Sequence, residues 1–286
     1  MQLFLKIALW IAGGLVGIVL LVLVGIWLVS SMTLGKKYDA PQIAMTHSTN
    51  AQTIAYGKRI AKIMGCGGCH GPAMQGQVLF KIPDGTKLVA PNVPKIAAGY
   101  SDDELARVIK YGVRPDSTGV MVMPSEAFYA MTDQDLTAIL SYIRATPDQG
   151  GKTEKSNFGP LIRMMIATGG FDSAPASPTY LDDAPTYDQG TQLGQGAYLA
   201  RMACGECHGL DYKGRVFPGE TNPPDLVVAS AYTIDEFKHL LHTGIGLSDR
   251  DLGLMSEVAA QRFDAFSDEE MEAIHAFLMD RVANGQ

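Results

Sequence analysis

Cysteine is scarce in this chain: 286 residues hold four. All four fall inside one short pattern that occurs twice, so none is left over for a disulfide framework. Charge is missing from another region, because nothing between Lys6 and Lys36 is ionised at neutral pH. Runs of alternating apolar and polar residues are also lacking, which excludes a sheet as the main architecture. Basic residues are no surplus either: 23 Lys and Arg stand against 30 Asp and Glu, a net charge of −7. That balance gives no basis for a nucleic-acid partner.

What the cysteines do form is Cys66-Gly67-Gly68-Cys69-His70 and Cys204-Gly205-Glu206-Cys207-His208. The C-x-x-C-H spacing is what covalent c-type haem attachment requires: two thiols bond to the porphyrin edge, and the next residue brings an imidazole under the iron. Two C-x-x-C pairs could instead supply four thiolates to a structural zinc, and a redox dithiol shares the spacing. Neither of those needs a histidine directly after the second cysteine, nor a second copy. The expected cofactors are therefore two covalently attached c-type haems. Cys66, Cys69, Cys204 and Cys207 are the attachment points, and His70 and His208 are axial ligands to iron.

The uncharged stretch from Ile7 to Ser31 is almost wholly apolar, with Trp10 and Trp27 near its ends. A bilayer core takes roughly 20 apolar residues as helix, so this run is long enough to span with some tilt. It exceeds the roughly 7 to 15 apolar residues of a secretory signal, and no A-x-A-like site follows Val29. It reads as an uncleaved anchor over residues 1–35. Lys6 on one side and Lys36 with Lys37 on the other leave the positive-inside count undecided, leaning toward the wrong side.

The rest of the chain repeats. Placing Cys66 on Cys204 gives an offset of 138, and the surroundings match on both sides. A helical pattern precedes each motif, Ala51 to Met64 and Gln192 to Met202. Ser101-Asp-Asp-Glu104 and Thr233-Ile-Asp-Glu236 have capping-box spacing, and their helices end at Gly112 and Gly244. A last helix opens at Thr132 or Ser267. Its apolar faces are Leu136, Ile139, Leu140 and Ile143 in one copy, and Met271, Ile274, Phe277 and Leu278 in the other. The fold class is mainly α: an N-terminal transmembrane helix plus two tandem modules. The divisions are residues 1–35 anchor, 36–50 juxtamembrane linker, 51–146 first module, 147–188 interdomain linker and 189–286 second module.

That register also addresses the sixth iron ligand. The first module offers Met121, Met123 and Met131. From Gly112 to Met123 is 11 residues, as from Gly244 to Met255; from Ser101 to Met123 is 22, as from Thr233 to Met255. The shared position selects Met123 and Met255, with Met121 the main competitor. Thioether sulfur is a known partner of histidine on haem iron. His239 and His242 could in principle replace Met255, but their i, i+3 spacing suits a shared surface face. His47 and His275 carry no signal beyond ordinary surface residues.

With these residues in place, the chain resembles class I cytochromes c, in particular the membrane-anchored dihaem type related to cytochrome subunits of bacterial dehydrogenases and respiratory complexes. Gly112-Val-Arg-Pro-Asp-Ser, Met123-Pro124 and Met131-Thr-Asp-Gln-Asp-Leu look like that family's first module. Leu252-Gly-Leu-Met255, Arg262-Phe263 and Ser267-Asp-Glu-Glu look like its second. The resemblance covers about residues 50 to 285. It implies two tandem class I cytochrome c domains and haem attachment outside a bacterial cytoplasmic membrane, hence haem modules on the periplasmic side. It further implies that a backbone carbonyl in Ala90-Pro91-Asn92 and in Pro223-Pro224-Asp225 accepts from the proximal imidazole Nδ1. The last helix of each module should cross the first at Gly57 or Gly196, with Tyr142 or Phe277 filling the contact. Dehydrogenase subunits of this type often carry a third haem module and a C-terminal anchor, whereas here there are two modules and an N-terminal helix.

Two readings of function follow. In the first the chain is not an enzyme but an electron carrier or electron-transfer subunit, with both irons closed by His and Met. The alternative is a dihaem enzyme such as a peroxidase, with one open or displaceable site. Residues 51–150 hold 10 basic and 9 acidic side chains, a net of +1, and residues 181–286 hold 7 and 18, a net of −11. The acidic second module is expected to face a redox partner such as a basic cytochrome or an oxidase. Within the linker, Phe158 to Ile166 is an apolar island. It is expected to pack the modules together; the alternative puts it against a membrane partner, with Arg163 on a haem propionate.

Overall fold

The computed structural model describes residues 1–150, 154–174, 185–216 and 222–285. Helix α1 (Gln2–Leu34) carries the uncharged stretch; its 33 residues are long and apolar enough to cross a bilayer. Most of its side chains are exposed, and Ser30 is its one buried residue.

The segment after α1 is bound to the first module along its length. Lys37 bridges Thr118, the Tyr38 amide donates to the Ser117 carbonyl at 2.9 Å, and Ala40 packs with Tyr111, Val113 and Tyr129. Further on, the amide of Met45 donates to Asp103 at 2.8 Å and that of Ser48 to the Ser141 hydroxyl at 2.7 Å. His47 is no ordinary surface residue: its Nδ1 meets Asp102 at 2.7 Å, and Arg144 holds the same carboxylate at 2.8 Å.

The first module runs α2 (Ala51–Ile63), α3 (Cys66–His70), the hairpin β1 (Gln77–Lys81) and β2 (Lys87–Ala90), α4 (Val93–Ala97), α5 (Asp102–Tyr111), α6 (Ser125–Phe128) and α7 (Asp133–Ala145). Then comes α8 (Pro160–Ala167). The second module runs α9 (Gln192–His208), α10 (Ile234–Thr243), the short strands β3 (Ile245–Gly246) and β4 (Arg250–Asp251), α11 (Leu254–Arg262) and α12 (Asp268–Ala283). Local chemistry sets these limits. Ser101 and Thr233 form complete capping boxes with Glu104 and Glu236. Gly112 and Gly244 end the same helices in the left-handed region, at φ 68° and 76°. Thr132 and Ser267 cap α7 and α12 by accepting from the amides three residues on.

Each module is built on one crossing. Helix α2 lies across α7 and α9 across α12, and the contact is backbone to backbone. A Cβ on Gly57 would overlap the Ala138 carbonyl, and one on Gly196 the Ala273 carbonyl. Leu136, Ile139, Leu140 and Ile143 are buried at the first crossing, and Met271, Ile274 and Leu278 at the second; Phe277 is half-buried, with its ring 5.6 Å from that of Tyr212.

The modules share one continuous apolar core, from Ile60 and Ile63 to Met271 and Leu278. Their polar contacts are reciprocal. Arg59 of α2 grips Glu270 of α12 through two hydrogen bonds of 2.8 Å and donates to the Ala265 carbonyl at 3.0 Å. In the opposite sense, Tyr198 of α9 donates to Asp135 of α7 at 2.5 Å, and Arg201 to the Glu126 carbonyl at 2.9 Å. Glu270 and Asp135 are both the third residue of their helices, so the interface has an approximate two-fold relation.

The apolar island departs from the reading given above. It forms α8, which packs against the end of α1, not between the modules. Arg163 donates to the hydroxyls of Ser30 and Ser31, at 2.9 and 3.1 Å, and not toward a haem motif. The first module also secures it, since Asp84 accepts from the Leu161 amide at 3.0 Å and Thr86 from that of Gly159 at 2.9 Å. The remainder of the 147–188 linker includes 151–153 and 175–184, which lie outside the described residues.

Replacing Gly57 or Gly196 with Ala forces two helix backbones apart. Either change should cost about 2–3 kcal/mol, the upper part of the overpacking range. Denaturant unfolding of the haem-loaded protein measures it; a loss under about 0.5 kcal/mol would show that the crossing tolerates a methyl group.

Candidate haem sites

Each motif sits at the end of the helix that makes the crossing. In the second module α9 continues through Cys204 to His208. In the first, Gly65 at φ 71° interrupts the helix, and Cys66 to His70 form the separate turn α3. None of the four cysteines is in a disulfide. Burial pushes Cys66 and Cys204 up to about 12, and raises Cys69 and Cys207 in the same direction. Desolvation dominates there, although the charges of Arg262 and Glu206 also act on Cys66 and Cys69. The two pairs do not converge: among the described residues no three of His, Cys, Asp and Glu stand together as a metal site.

The imidazoles are fixed from behind. His70 Nδ1 lies 2.9 Å from the Pro91 carbonyl and His208 Nδ1 2.8 Å from that of Pro224. A carbonyl oxygen can only accept, so the proton is on Nδ1 and the lone pair on Nε2, the arrangement an iron ligand needs. Burial lowers the proton affinity of both rings, partly offset by these carbonyls. Both histidines are thereby held neutral and able to bind metal. Two thiols and a tautomer-locked imidazole in an apolar setting fit a c-type haem.

The proximal loops contain repeated residues that motif spotting passed over. Gly76 and Gly214, at the same 138 offset, adopt φ 80° and 91°. Their amides donate to the His70 and His208 carbonyls at 2.7 and 2.8 Å. A Cβ at Gly76 would sit 2.5 Å from the Asn92 nitrogen, and one at Gly214 2.5 Å from the Pro223 oxygen. These glycines let the proline loop close on the histidine. Met74 and Tyr212, again 138 apart, share left-handed conformations at φ 59° and 62°. Their carbonyls accept from Val93 and Leu226 at 2.9 and 2.8 Å.

Met123 and Met255 are half-buried and both pack against the shared core. Met121 is half-buried but outside that contact set, and Met131 is 1% exposed and a core side chain. Equal spacing from the helix-ending glycines has a visible cause. A Cβ on Gly112 would press on Ser125, two residues past Met123, and one on Gly244 would overlap the Ser256 carbonyl, next to Met255. Each glycine is thus packed against the segment that carries the methionine. His239 and His242 are exposed, and His242 lies 3.4 Å from Asp268. His275 is not an ordinary surface residue: it bonds the Tyr232 carbonyl at 3.0 Å and packs on Phe237 at 5.2 Å.

One side chain touches both motifs. The guanidinium of Arg262, from α11, fills the space a side chain on Gly65 would need and lies 3.3 Å from where a Gly68 Cβ would sit. It also pairs with Glu206, inside the second motif, at 3.4 Å. An arginine spans only a few ångströms, so the two attachment sites are neighbours across the interface.

The cytochrome c family model matches residues 54–147 and 192–281, the two stretches that hold these motifs. The chain belongs to the cytochrome c family. Family membership implies covalently bound c-type haem. Among curated proteins it is similar to the fructose dehydrogenase cytochrome subunit of Gluconobacter japonicus, with 23% identity over 269 residues (84% of this chain and 54% of that protein). It is also similar to the cytochrome c subunits of quinone-type alcohol dehydrogenases from Gluconacetobacter polyoxogenes and Komagataeibacter europaeus, each 24% identical over 270 residues (82% of this chain and 57% of theirs). This cytochrome spans about half the length of the curated relatives it matches.

Gly76→Ala should disturb the carbonyl behind His70 and leave the second site alone. The check is electron paramagnetic resonance of the ferric protein: one low-spin signal should shift and the other stay in place, with Gly214→Ala giving the converse. An unchanged spectrum in both variants would show that these glycines do not set the proximal geometry.

Proposed function

We propose that this cytochrome is a membrane-anchored dihaem electron carrier, with modules at 51–146 and 189–286 on the periplasmic side of a bacterial cytoplasmic membrane and electrons passing from one haem to the other. The observation that carries this reading is Arg262, whose guanidinium meets both haem-attachment motifs. Two redox centres attached to neighbouring motifs, across a shared apolar core, form a relay.

When bound, each haem supplies a one-electron couple at its iron. The chain's own residues define how. Cys66 with Cys69, and Cys204 with Cys207, tether the porphyrin edges. His70 and His208 present Nε2, held by the Pro91 and Pro224 carbonyls. Met123 and Met255 are the sixth ligands in this reading, supported by their equal register and common packing against the core. With His70 and Met123 on one iron and His208 and Met255 on the other, no site would stay open for substrate, and the chemistry would be electron entry and exit. A methionine ligand favours reduced iron and raises the potential.

The dehydrogenase subunits among the relatives support a place in a larger complex that feeds electrons to this chain. The acceptor side is the second module. Part of its acidic excess faces the first module, where half-buried Glu270 pairs with Arg59 at 2.8 Å and exposed Asp264 with Lys62 at 2.7 Å. Asp249, Asp251 and Glu257 remain exposed close to Met255 in the chain and make a docking edge for a basic redox protein.

Met255→Ala should keep covalent haem but lower that centre's potential and remove its share of the weak red-end absorption of methionine-ligated ferric haem. Met123→Ala should do the same at the first centre, and Met121→Ala should do neither. Redox titration followed by visible spectroscopy measures both quantities; an unchanged potential overturns the ligand assignment. Electron transfer to a basic cytochrome c should slow as ionic strength rises from 10 mM toward 200 mM, where the screening length shrinks from about 30 Å to below about 10 Å. A salt-independent rate would remove the acidic edge as a docking surface.

A further inference from the structure

Helix α8 is the part of the molecule that neither the haem sites nor the module interface uses. The 14 residues from Phe158 to Phe171 contain a single charge, Arg163. Ile162 and Ile166 are buried, at 8% and 2% exposure, while Leu161 and Met164 are 48% and 44% exposed. One face of α8 is therefore spent on packing, and an apolar face is left open. The rings of Phe158 and Phe171 meet edge to face at 6.5 Å and close the two ends of the segment on each other.

Its position against α1 decides what covers that face. Counting about 20 residues of hydrocarbon from Ile7 reaches Ile26, so Trp27 to Leu34 stand at the depth of the lipid headgroups. That is where Arg163 holds on. It donates to Ser30 and Ser31, its Nε donates to the Phe158 carbonyl at 3.1 Å, and its guanidinium lies 5.9 Å from the centre of the Trp27 ring. None of these partners is a carboxylate, so among the described residues the positive charge is oriented by neutral groups.

We propose that α8 lies in the membrane interface, with Leu161 and Met164 in the headgroup and upper acyl region of an anionic lipid surface and Arg163 among its phosphates. This inference rests on the anchor reading given above. An interfacial helix buries an apolar face roughly 5–10 Å into that boundary, and a cationic side chain adds attraction to anionic lipid. The same contact fixes the first module. With α8 bound to α1 on one side, and Lys37 and Tyr38 bound to Thr118 and Ser117 on the other, the module is clamped against the bilayer and does not swing on a tether.

The test uses the full haem-loaded chain in nanodiscs of phosphatidylethanolamine and phosphatidylglycerol. Nitroxide labels are placed singly, through Leu161→Cys, Met164→Cys, Val19→Cys within α1 and Asp249→Cys as an aqueous reference. Collision rates with oxygen and with a neutral nickel chelate are compared. Positions 161 and 164 should be protected from the chelate several-fold relative to 249, and less than 19. If 19 lies in lipid but 161 and 164 match 249, the interfacial helix is overturned and the anchor stands. That is also the result if a partner's helix covers this face in the cell, because none is in the disc. If 19 is itself aqueous, the anchor fails and this inference with it. Cross-linking of the unmodified chain by a phospholipid with a diazirine near its glycerol avoids substitution altogether. Adducts should map to 158–171; adducts on α1 alone would overturn the proposal.

Discussion

Two glycine-permitted helix crossings carry the rest of this structure. At Gly57 over Ala138 and at Gly196 over Ala273, backbone meets backbone, so the helix that ends in a haem motif is set against the helix that closes its module. The crossing fixes more than the module itself. The third residue of each closing helix, Asp135 or Glu270, reaches into the other module and takes a hydrogen bond there from Tyr198 or Arg59. Asp135 accepts as well from Tyr56 of its own module, at 2.7 Å. A shift at either crossing therefore moves the interface, and with it the distance between the two attachment sites. Burial of Tyr56 and Tyr198, together with their bonds to the Asp135 carboxylate, raises both phenols. They stay protonated donors at any physiological pH.

Charge segregation between the modules has two physical roles. Surface ion pairs contribute little, commonly under 1 kcal/mol, but the Arg59–Glu270 pair is bidentate and its carboxylate side chain is only 13% exposed. Its geometry specifies how the modules meet more than how tightly. The acidic excess of the second module thus answers in part to the basic residues of the first. Of what is left outside, Asp249, Asp251 and Glu257 lie around the Met255 segment.

Much of this was legible in the chain because it is written twice. Capping boxes, helix-ending glycines and apolar faces came out where the spacing put them, since each is a local signal with a local cause. The 138-residue offset also held Gly76 with Gly214 and Met74 with Tyr212. Those pairs are silent in a motif search because what they encode is a backbone angle, not a side-chain chemistry. The offset fails at the proline loops: 15 residues separate Gly76 from Pro91, but 10 separate Gly214 from Pro224. The longer first loop holds the β1–β2 hairpin, which two strands of five and four residues, the first mostly exposed and the second half-buried to buried, do not announce. The role of α8 was misread for a related reason. An apolar stretch between two modules looks like mortar for both, and its partner, α1, lies more than 120 residues earlier in the sequence. Only tertiary placement links Arg163 to Ser30. His47 and His275 were equally silent, because a lone histidine gains its meaning from the carboxylate or carbonyl it meets.

The two modules are near copies that face different surroundings. In the first, the segment leading to Met123 is covered: Lys37 and Tyr38, just past α1, pair with Thr118 and Ser117, and the Ala174 amide donates to the Val120 carbonyl at 2.8 Å. In the second, the matching segment carries the small β3–β4 hairpin, with Ser248 and Asp249 both in the left-handed region at φ 57°. Its residues 248–251 are exposed. One distal edge is thus built into the anchor side of the molecule and the other is turned to solvent. In the proposed relay the first end is tied to the segment after α1 and the second is open to solvent, so the two ends are not equivalent.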